Sequence, residues 1–123
     1  MNKNNNPTKD RFYIAYGSNL NIGQMARRCP TAEIVGKTFL RNWRLMFRGK
    51  NTAVATVEKH RGSQVPVLIW RLRSSDERSL DVYEGYPHLY RKELLRITVN
   101  RRRMSAMVYI MNEANHPYGM PSV

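Results

Sequence analysis

An α+β fold, in which a small, twisted, mainly antiparallel β-barrel carries short flanking helices, is predicted by three features of the 123-residue sequence. About six strand-like segments stand against two short helical ones. Most connections are turns rather than long crossovers. Strands joined by turns also argue against alternating strand–helix–strand units, and so against a doubly wound nucleotide fold. The length suits one domain over residues 11–123, behind a polar leader at 1–10 expected to be disordered and ahead of an irregular tail from about 112.

The first element is the apolar run 12–16, Phe12-Tyr13-Ile14-Ala15-Tyr16, which reads as a buried strand. Gly17, Ser18 and Asn19 stop it, because these residues favour sharp turns. Asn21 is the expected N-cap of a helix whose Ile22, Met25, Ala26 and Cys29 share one face, and Pro30 closes that helix. Strand, polar loop and helix start aim several main-chain N–H groups at one point, a nest suited to a carboxylate, a phosphate or an oxyanion. An ordinary strand-to-helix turn has the same local sequence, so the loop alone does not decide function.

Strand-like residues follow within 31–40. Asn42 separates them from Trp43, Leu45 and Phe47, which alternate with Arg44, Met46 and Arg48 as in a half-buried strand. Gly49-Lys50-Asn51 is an expected turn. Residues 52–57 form another strand, with small Ala53 and Ala55 on one face as if something packs closely there. Residues 58–63 read as a turn into the strand 65–72. Ser74 and Glu77 fit a capping box at the start of the second helix, which Gly85 and Pro87 end. Two strands, Tyr90–Val99 and 103–111, close the pattern around the exposed turn Arg101-Arg102-Arg103.

Composition narrows the function. One cysteine, Cys29, excludes an intramolecular disulfide and a cysteine zinc site, and its place on the apolar helix face reads as packing. His60, His88 and His116 lack metal-ligand spacing, so no metal and no cofactor is expected. No run resembles a signal peptide or a membrane span, so a cytoplasmic location without membrane contact is expected. The 21 Lys and Arg against 9 Asp and Glu give a net charge of +12, a field that attracts anions. The cations are scattered along the chain and no nucleic-acid-binding motif accompanies them, so a nucleic acid or acidic protein ranks as the weakest partner expectation.

The chemistry-bearing stretch is Leu80-Asp81-Val82-Tyr83-Glu84-Gly85-Tyr86-Pro87-His88-Leu89-Tyr90-Arg91. It sets Glu84 in the last helical turn among tyrosines. The helix dipole and partial burial both disfavour a negative charge there, which marks Glu84 as a candidate general base against the plainer reading of a surface glutamate. Asp81, one turn earlier, is expected to be solvated. Ser18 has no His or Asp partner by spacing, and Gly-Ser-Asn is neither a hydrolase elbow nor a P-loop.

Ala15-Tyr16-Gly17-Ser18-Asn19-Leu20, followed some sixty residues later by Leu80-Asp81-x-Tyr83-Glu84-Gly85-x-Pro87-x-x-Tyr90-x-Lys92, resembles the γ-glutamylcyclotransferase-like family. Gly36-x-x-x-Leu40, Trp43-Arg44-Leu45-x-Phe47 and Ala53-x-Ala55-x-Val57 resemble its middle strands, so the likeness covers residues 12–109. The resemblance implies a small mixed barrel and an enzyme, an acyltransferase that cyclises a γ-glutamyl amine or γ-glutamyl amino acid to 5-oxoproline without a cofactor. It implies that Glu84 is the catalytic acid and base. The substrate-binding residues would be Tyr16, Gly17, Ser18, Asn19, Leu20 and Tyr90. The family pattern also has a tyrosine and a closing helix after Pro121-Ser122, whereas this sequence ends at Val123. That departure leaves open a pocket wall supplied by a second copy in a homo-oligomer. With the charge, it also leaves open a non-catalytic module that binds a small molecule or peptide.

Overall fold

A computed structural model describes residues 10–48 and 54–112. Residues 1–9 of the expected leader at 1–10, the turn at 49–51 with Thr52 and Ala53, and the expected tail beyond Asn112 lie outside the described residues. Five strands form one sheet: β1 (Arg11–Ala15), β2 (Glu33–Arg48), β3 (Val54–Leu72), β4 (Tyr90–Val99) and β5 (Arg102–Met111). Two helices accompany them, α1 (Ile22–Arg28) and α2 (Ser74–Glu84), and Gly17–Leu20 makes a 3-10 turn between β1 and α1. The strand order is β2-β3-β1-β5-β4. All neighbouring pairs are antiparallel except β1 with β5, which run parallel through Tyr13 and Met107.

The period-two alternation of the strands separates two apolar layers. Ile14, Val67, Ile69, Val108 and Ile110 point into the curl of the sheet, where they meet Leu40, Trp43, Ile97 and Val99. Tyr13, Ala15, Leu68, Trp70, Met107 and Tyr109 point the other way and pack under Met25 of α1, its C-cap Cys29 and Leu80 of α2. The α+β class is as expected, but the barrel is not closed, since no backbone ladder joins β2 to β4. Side chains bridge those edges instead: the Thr38 hydroxyl donates to the Thr98 carbonyl at 2.8 Å and Asn100 Nδ2 to the Val35 carbonyl at 3.0 Å.

Two expected breaks turn out to be one bulge. Residues 58–63 do not reverse the chain. β2 and β3 are single long strands whose register jumps where Asn42 stands opposite His60, Arg61, Gly62 and Ser63. Asn42 and Gly62 both take left-handed backbone conformations, φ 68° and 88°, and the Asn42 side-chain oxygen accepts from the Gly62 N–H at 3.0 Å. A turn-forming pair thus re-aims two strands without ending either. Beyond the bulge the hairpin folds over the near end of β4 and β5: the Tyr90 hydroxyl donates to the Ala55 carbonyl at 2.6 Å and the Met111 N–H to the Thr56 hydroxyl at 3.0 Å. Here the expected alternation fails in part. Trp43 is buried, but Leu45 and Phe47 are exposed, and Arg48 is buried with an ion pair to Glu58 at 2.9 Å.

Asn21 caps α1 as expected, its Oδ1 accepting from the Gln24 N–H at 2.9 Å. Of the expected apolar face, Met25 and Cys29 are buried while Ile22 and Ala26 are not. Burial, with the nearby charge of Asp76, pushes the Cys29 thiol up to about 11, in keeping with packing rather than reactivity. No helix among the described residues is long and apolar enough to cross a membrane.

The expected capping box of α2 is corrected by one residue. Asp76, not Glu77, reaches back to the Arg73 N–H at 3.0 Å, and Asp76 is 1 % exposed because it also accepts from the hydroxyl and N–H of Thr31. Glu77 faces the sheet, where Lys92 Nζ donates to it at 2.6 Å and Arg11 pairs with it at 3.3 Å. Lys92 also reaches Asp81 at 2.9 Å. Asp81 is therefore not simply solvated: one lysine of β4 holds two carboxylates on successive turns of α2 and ties the helix to the sheet.

This clamp has a pH signature. Burial alone would raise the Glu77 carboxyl, but hydrogen bonds and charge from Lys92 and Arg11 hold it below its ordinary value of 4.5. A lowered carboxyl stabilises the fold fully above 4.5, and that contribution is lost as pH falls through the folded value. Lys92→Met is expected to cost about 1–3 kcal/mol, the scale of hydrogen bonds to charged groups. Thermal melts should show wild type well above Glu77→Gln at about pH 7 and the gap shrinking towards about pH 3. A gap of constant size across that range would rule the linkage out.

Candidate active site

A cavity of about 610 Å³ opens where β1 ends. Its walls come from four places: Tyr13, Tyr16 and Gly17 from β1 and its turn, Phe47, Val54 and Ala55 from the far end of the β2–β3 hairpin, Tyr83 and Glu84 from the end of α2, and Leu89, Tyr90 and Tyr109 from the strands beneath. The two motifs that lie far apart in sequence thus share one hollow.

Glu84 is the last residue of α2, half-buried, and its position follows from how that helix stops. Gly85 takes the left-handed conformation, φ 68°, so that the Tyr86 N–H returns to the Asp81 carbonyl at 2.9 Å and the Gly85 N–H to the Val82 carbonyl at 3.2 Å. This pairing closes the helix end and satisfies carbonyls that would otherwise compete for donors near the acid. The chain then turns through a cis Tyr86–Pro87 bond and enters β4 at Tyr90.

Glu77, Asp81 and Glu84 fall at i, i+4 and i+7, one face of α2. Lys92 and Arg11 balance the first, and Lys92 and the Tyr109 hydroxyl, donating at 2.6 Å, hold the second. The third reaches the cavity. Tyr109 lies between them: its ring meets Tyr13 edge-on at 5.8 Å and Tyr86 at 6.5 Å, with Lys92 Nζ 4.2 Å over the Tyr86 ring.

Two further cavity tyrosines, Tyr16 and Tyr90, have committed their protons. Tyr16 donates to the Tyr109 carbonyl at 2.6 Å, and Tyr90 to the Ala55 carbonyl at 2.6 Å. A hydroxyl that has spent its proton on the backbone presents only lone pairs to a ligand, so both oxygens are prepared to accept. Both phenols are pushed above their ordinary range. Burial is the main cause, the neighbouring Tyr90 and the Glu84 charge add to it for Tyr16 against a lowering bond from Thr56, and Glu84 and Tyr83 add to it for Tyr90. The carboxylate of Glu84 is close enough for both rings to feel it.

Of the residues singled out in the sequence, Tyr16, Gly17, Glu84 and Tyr90 line this cavity. The Leu20 side chain does not; it lines a separate apolar hollow with Ile22, Phe39 and Pro66. Ser18 and Asn19 take part in the 3-10 turn through their backbones, and roles expected of their side chains lie outside the described structure. Tyr13 and Tyr109 belong to the cavity without having been marked by any motif, and Phe47 was marked only as part of a middle strand. Their signal was only that of aromatic residues on strands. Among the described residues, no three His, Cys, Asp or Glu side chains gather as metal ligands.

Gly17 is required by its surroundings. Its φ is +66°, and an added Cβ would stand 3.3 Å from the Ala55 Cβ, the close packing anticipated on the small face of that strand.

The chain is similar to known proteins over most of its length. The family model for γ-glutamyl cyclotransferase, AIG2-like, matches residues 13–122. Human γ-glutamylcyclotransferase is 32 % identical over 88 residues, a match covering 64 % of this chain and 47 % of that protein. The chain spans about half the length of the curated relatives it matches. Among solved structures, a γ-glutamyl cyclotransferase superposes with a TM-score of 0.77 at 24 % identity over 85 % of this chain and 68 % of the other. An uncharacterised human protein gives 0.75 at 25 % identity over 84 % and 67 %.

Gly17→Ala is expected to cost about 1–2 kcal/mol from the left-handed backbone alone, before any crowding of Ala55. Pairing it with Ala55→Gly relieves the contact but not the conformation. Urea midpoints should therefore recover only in part in the double variant, and full recovery would show that packing, not φ, requires the glycine.

Proposed function

Since the chain belongs to the γ-glutamyl cyclotransferase, AIG2-like family, we propose that it is a cyclotransferase that converts a γ-glutamyl amine or γ-glutamyl amino acid into 5-oxoproline, with Glu84 as its acid and base. The observation that carries this reading is the single cavity onto which both Glu84 and the Tyr16–Gly17 turn open.

The reaction is intramolecular. The α-amine of the glutamyl group attacks its own γ-carbonyl, a C–N bond closes the five-membered lactam, and the bond to the leaving nitrogen breaks. Much of the acceleration comes from holding the chain folded in a near-attack conformer, which a confined cavity with aromatic walls favours. Three tasks remain for protein groups. The Glu84 carboxylate takes a proton from the α-ammonium, which frees the nucleophile, and returns a proton to the departing nitrogen. Tyr16 and Tyr90, whose hydroxyls offer lone pairs, accept from the ammonium before it is deprotonated and orient it. The main-chain N–H groups of the Gly17–Leu20 turn face the opposite charge, the substrate carboxylate or the developing oxyanion. Proton and charge balance without any other reactant.

A general base of this kind contributes roughly 10²–10⁴ in rate. Purified protein is expected to release 5-oxoproline from at least one member of a γ-glutamyl panel. Glu84→Gln, which keeps the shape and removes the base, should lower kcat by at least about a hundredfold with substrate affinity little changed. A wild-type protein inactive across the panel, or an undiminished Glu84→Gln variant, would defeat the proposal. Tight binding without product, insensitive to Glu84→Gln, would favour the non-catalytic module.

A further inference from the structure

Cations that are scattered in the sequence meet at one place. Arg41 of β2, Lys59 of β3, Arg96 of β4 and Arg103 of β5 line a cavity of about 510 Å³ beside the side-chain bridge from Thr38 to Thr98. This cavity shares no lining residue with the one that holds Glu84. Its floor is Leu40, Trp43, Leu95 and Ile97, and its rim carries Phe39, 47 % exposed, with Thr38 and Thr98.

Clustering sets this place apart: other cations, such as Arg27, Lys37, Arg61 and Arg78, also form no ion pair with a carboxylate among the described residues, but here four meet at one hollow. Elsewhere in the described structure, carboxylates take cations as partners: Glu58 holds Arg44 and Arg48, Glu77 holds Arg11 and Lys92, Asp81 shares Lys92, Glu93 holds Arg91, and Asp10 and Glu33 approach Arg71. Among the described residues, none of Arg41, Lys59, Arg96 and Arg103 pairs with a carboxylate; Arg41 reaches only the amide oxygen of Gln64, at 3.5 Å. Four like charges drawn to one hollow repel each other until an outside anion neutralises them. The exposed Arg101 and Arg102 prolong the positive surface from the rim along the β4–β5 turn.

From this arrangement we propose that the cavity between β2 and β4 binds single-stranded nucleic acid, its phosphates on Arg41, Lys59, Arg96 and Arg103 and a base stacked on Phe39. Several separated cations suit a chain of phosphates better than one small anion. An exposed aromatic ring beside them supplies the sequence-tolerant stacking that single strands use. Duplex nucleic acid does not offer a free base face to that ring, and an acidic peptide presents no base to stack on it.

Fluorescence anisotropy with labelled twelve-nucleotide RNA and DNA single strands tests this on the intact protein, with the matching duplex, heparin and an acidic peptide as competitors. Binding is expected to fall steeply with salt, and Arg96→Gln and Arg103→Gln should each flatten the log–log slope by about 0.7–1. Phe39→Ala should weaken single-strand binding roughly tenfold while leaving the slope in place. Arg27→Gln, on α1, should change neither, and 5-oxoproline release should be the same in all these variants. The site is refuted if no strand binds at low salt. It is equally refuted if Phe39→Ala is silent, if Arg27→Gln matters as much as Arg96→Gln, or if the duplex or the acidic peptide displaces a single strand better than its unlabelled self. Melting temperatures of the variants separate lost binding from lost folding.

Discussion

Lys92 is the contact on which the site depends. Its ammonium lies between Glu77 and Asp81, on successive turns of α2, while its own strand is paired residue for residue with β5. Burial alone would lower the lysine, but the hydrogen bonds and charges of the two carboxylates raise it, so the cation is held rather than merely tolerated. One side chain thereby fixes both the height and the rotation of the helix above the sheet. Glu84 is the next acid along the same face, and wherever the clamp sets the helix, Glu84 is delivered to the end of β1.

Two kinds of group are thereby separated on one helix face. Glu77 and Asp81 are structural because their charges are answered within the fold, and Tyr109 joins them through its bond to Asp81. Glu84 stands one turn further, beside phenols whose protons are already given to backbone carbonyls. A cavity arranged in this way combines acceptors, an acid and apolar walls. The proposed substrate, which carries a positive amine and folds upon itself, would meet such a set.

Much of the fold was legible where a local rule acts alone. The apolar run before Gly17, the Asn21 cap and the stop at Gly85 are decided by neighbouring residues and appear where the sequence places them. The β4–β5 turn falls at Asn100 and Arg101, both with positive φ, so that Arg102 and Arg103 of the expected turn already belong to β5. The failures share a cause: tertiary partners chose differently. Glu77 looked like a capping residue until Lys92 and Arg11 claimed it, leaving Asp76 to serve. Asp81 looked solvated because its two partners come from β4 and β5. The stretch from His60 to Ser63 reads as a turn by composition, and only the Asn42 opposite it makes it a bulge. The cavity itself was legible as two motifs, whereas the place of Tyr13, Tyr109 and Phe47 in it was not, since a strand pattern does not say which hollow a strand aromatic borders.

That bulge bears on how the protein diversifies. The hairpin tip beyond Asn42 supplies Phe47, Val54 and Ala55 to the cavity, yet neither the acid nor the clamp lies on it. Loops and irregular junctions absorb insertions and substitutions at little thermodynamic cost. Changes at Phe47 re-face one wall of the cavity, whereas Ala55, whose carbonyl accepts from Tyr90 and whose Cβ packs against Gly17, is tied to the rest of the site.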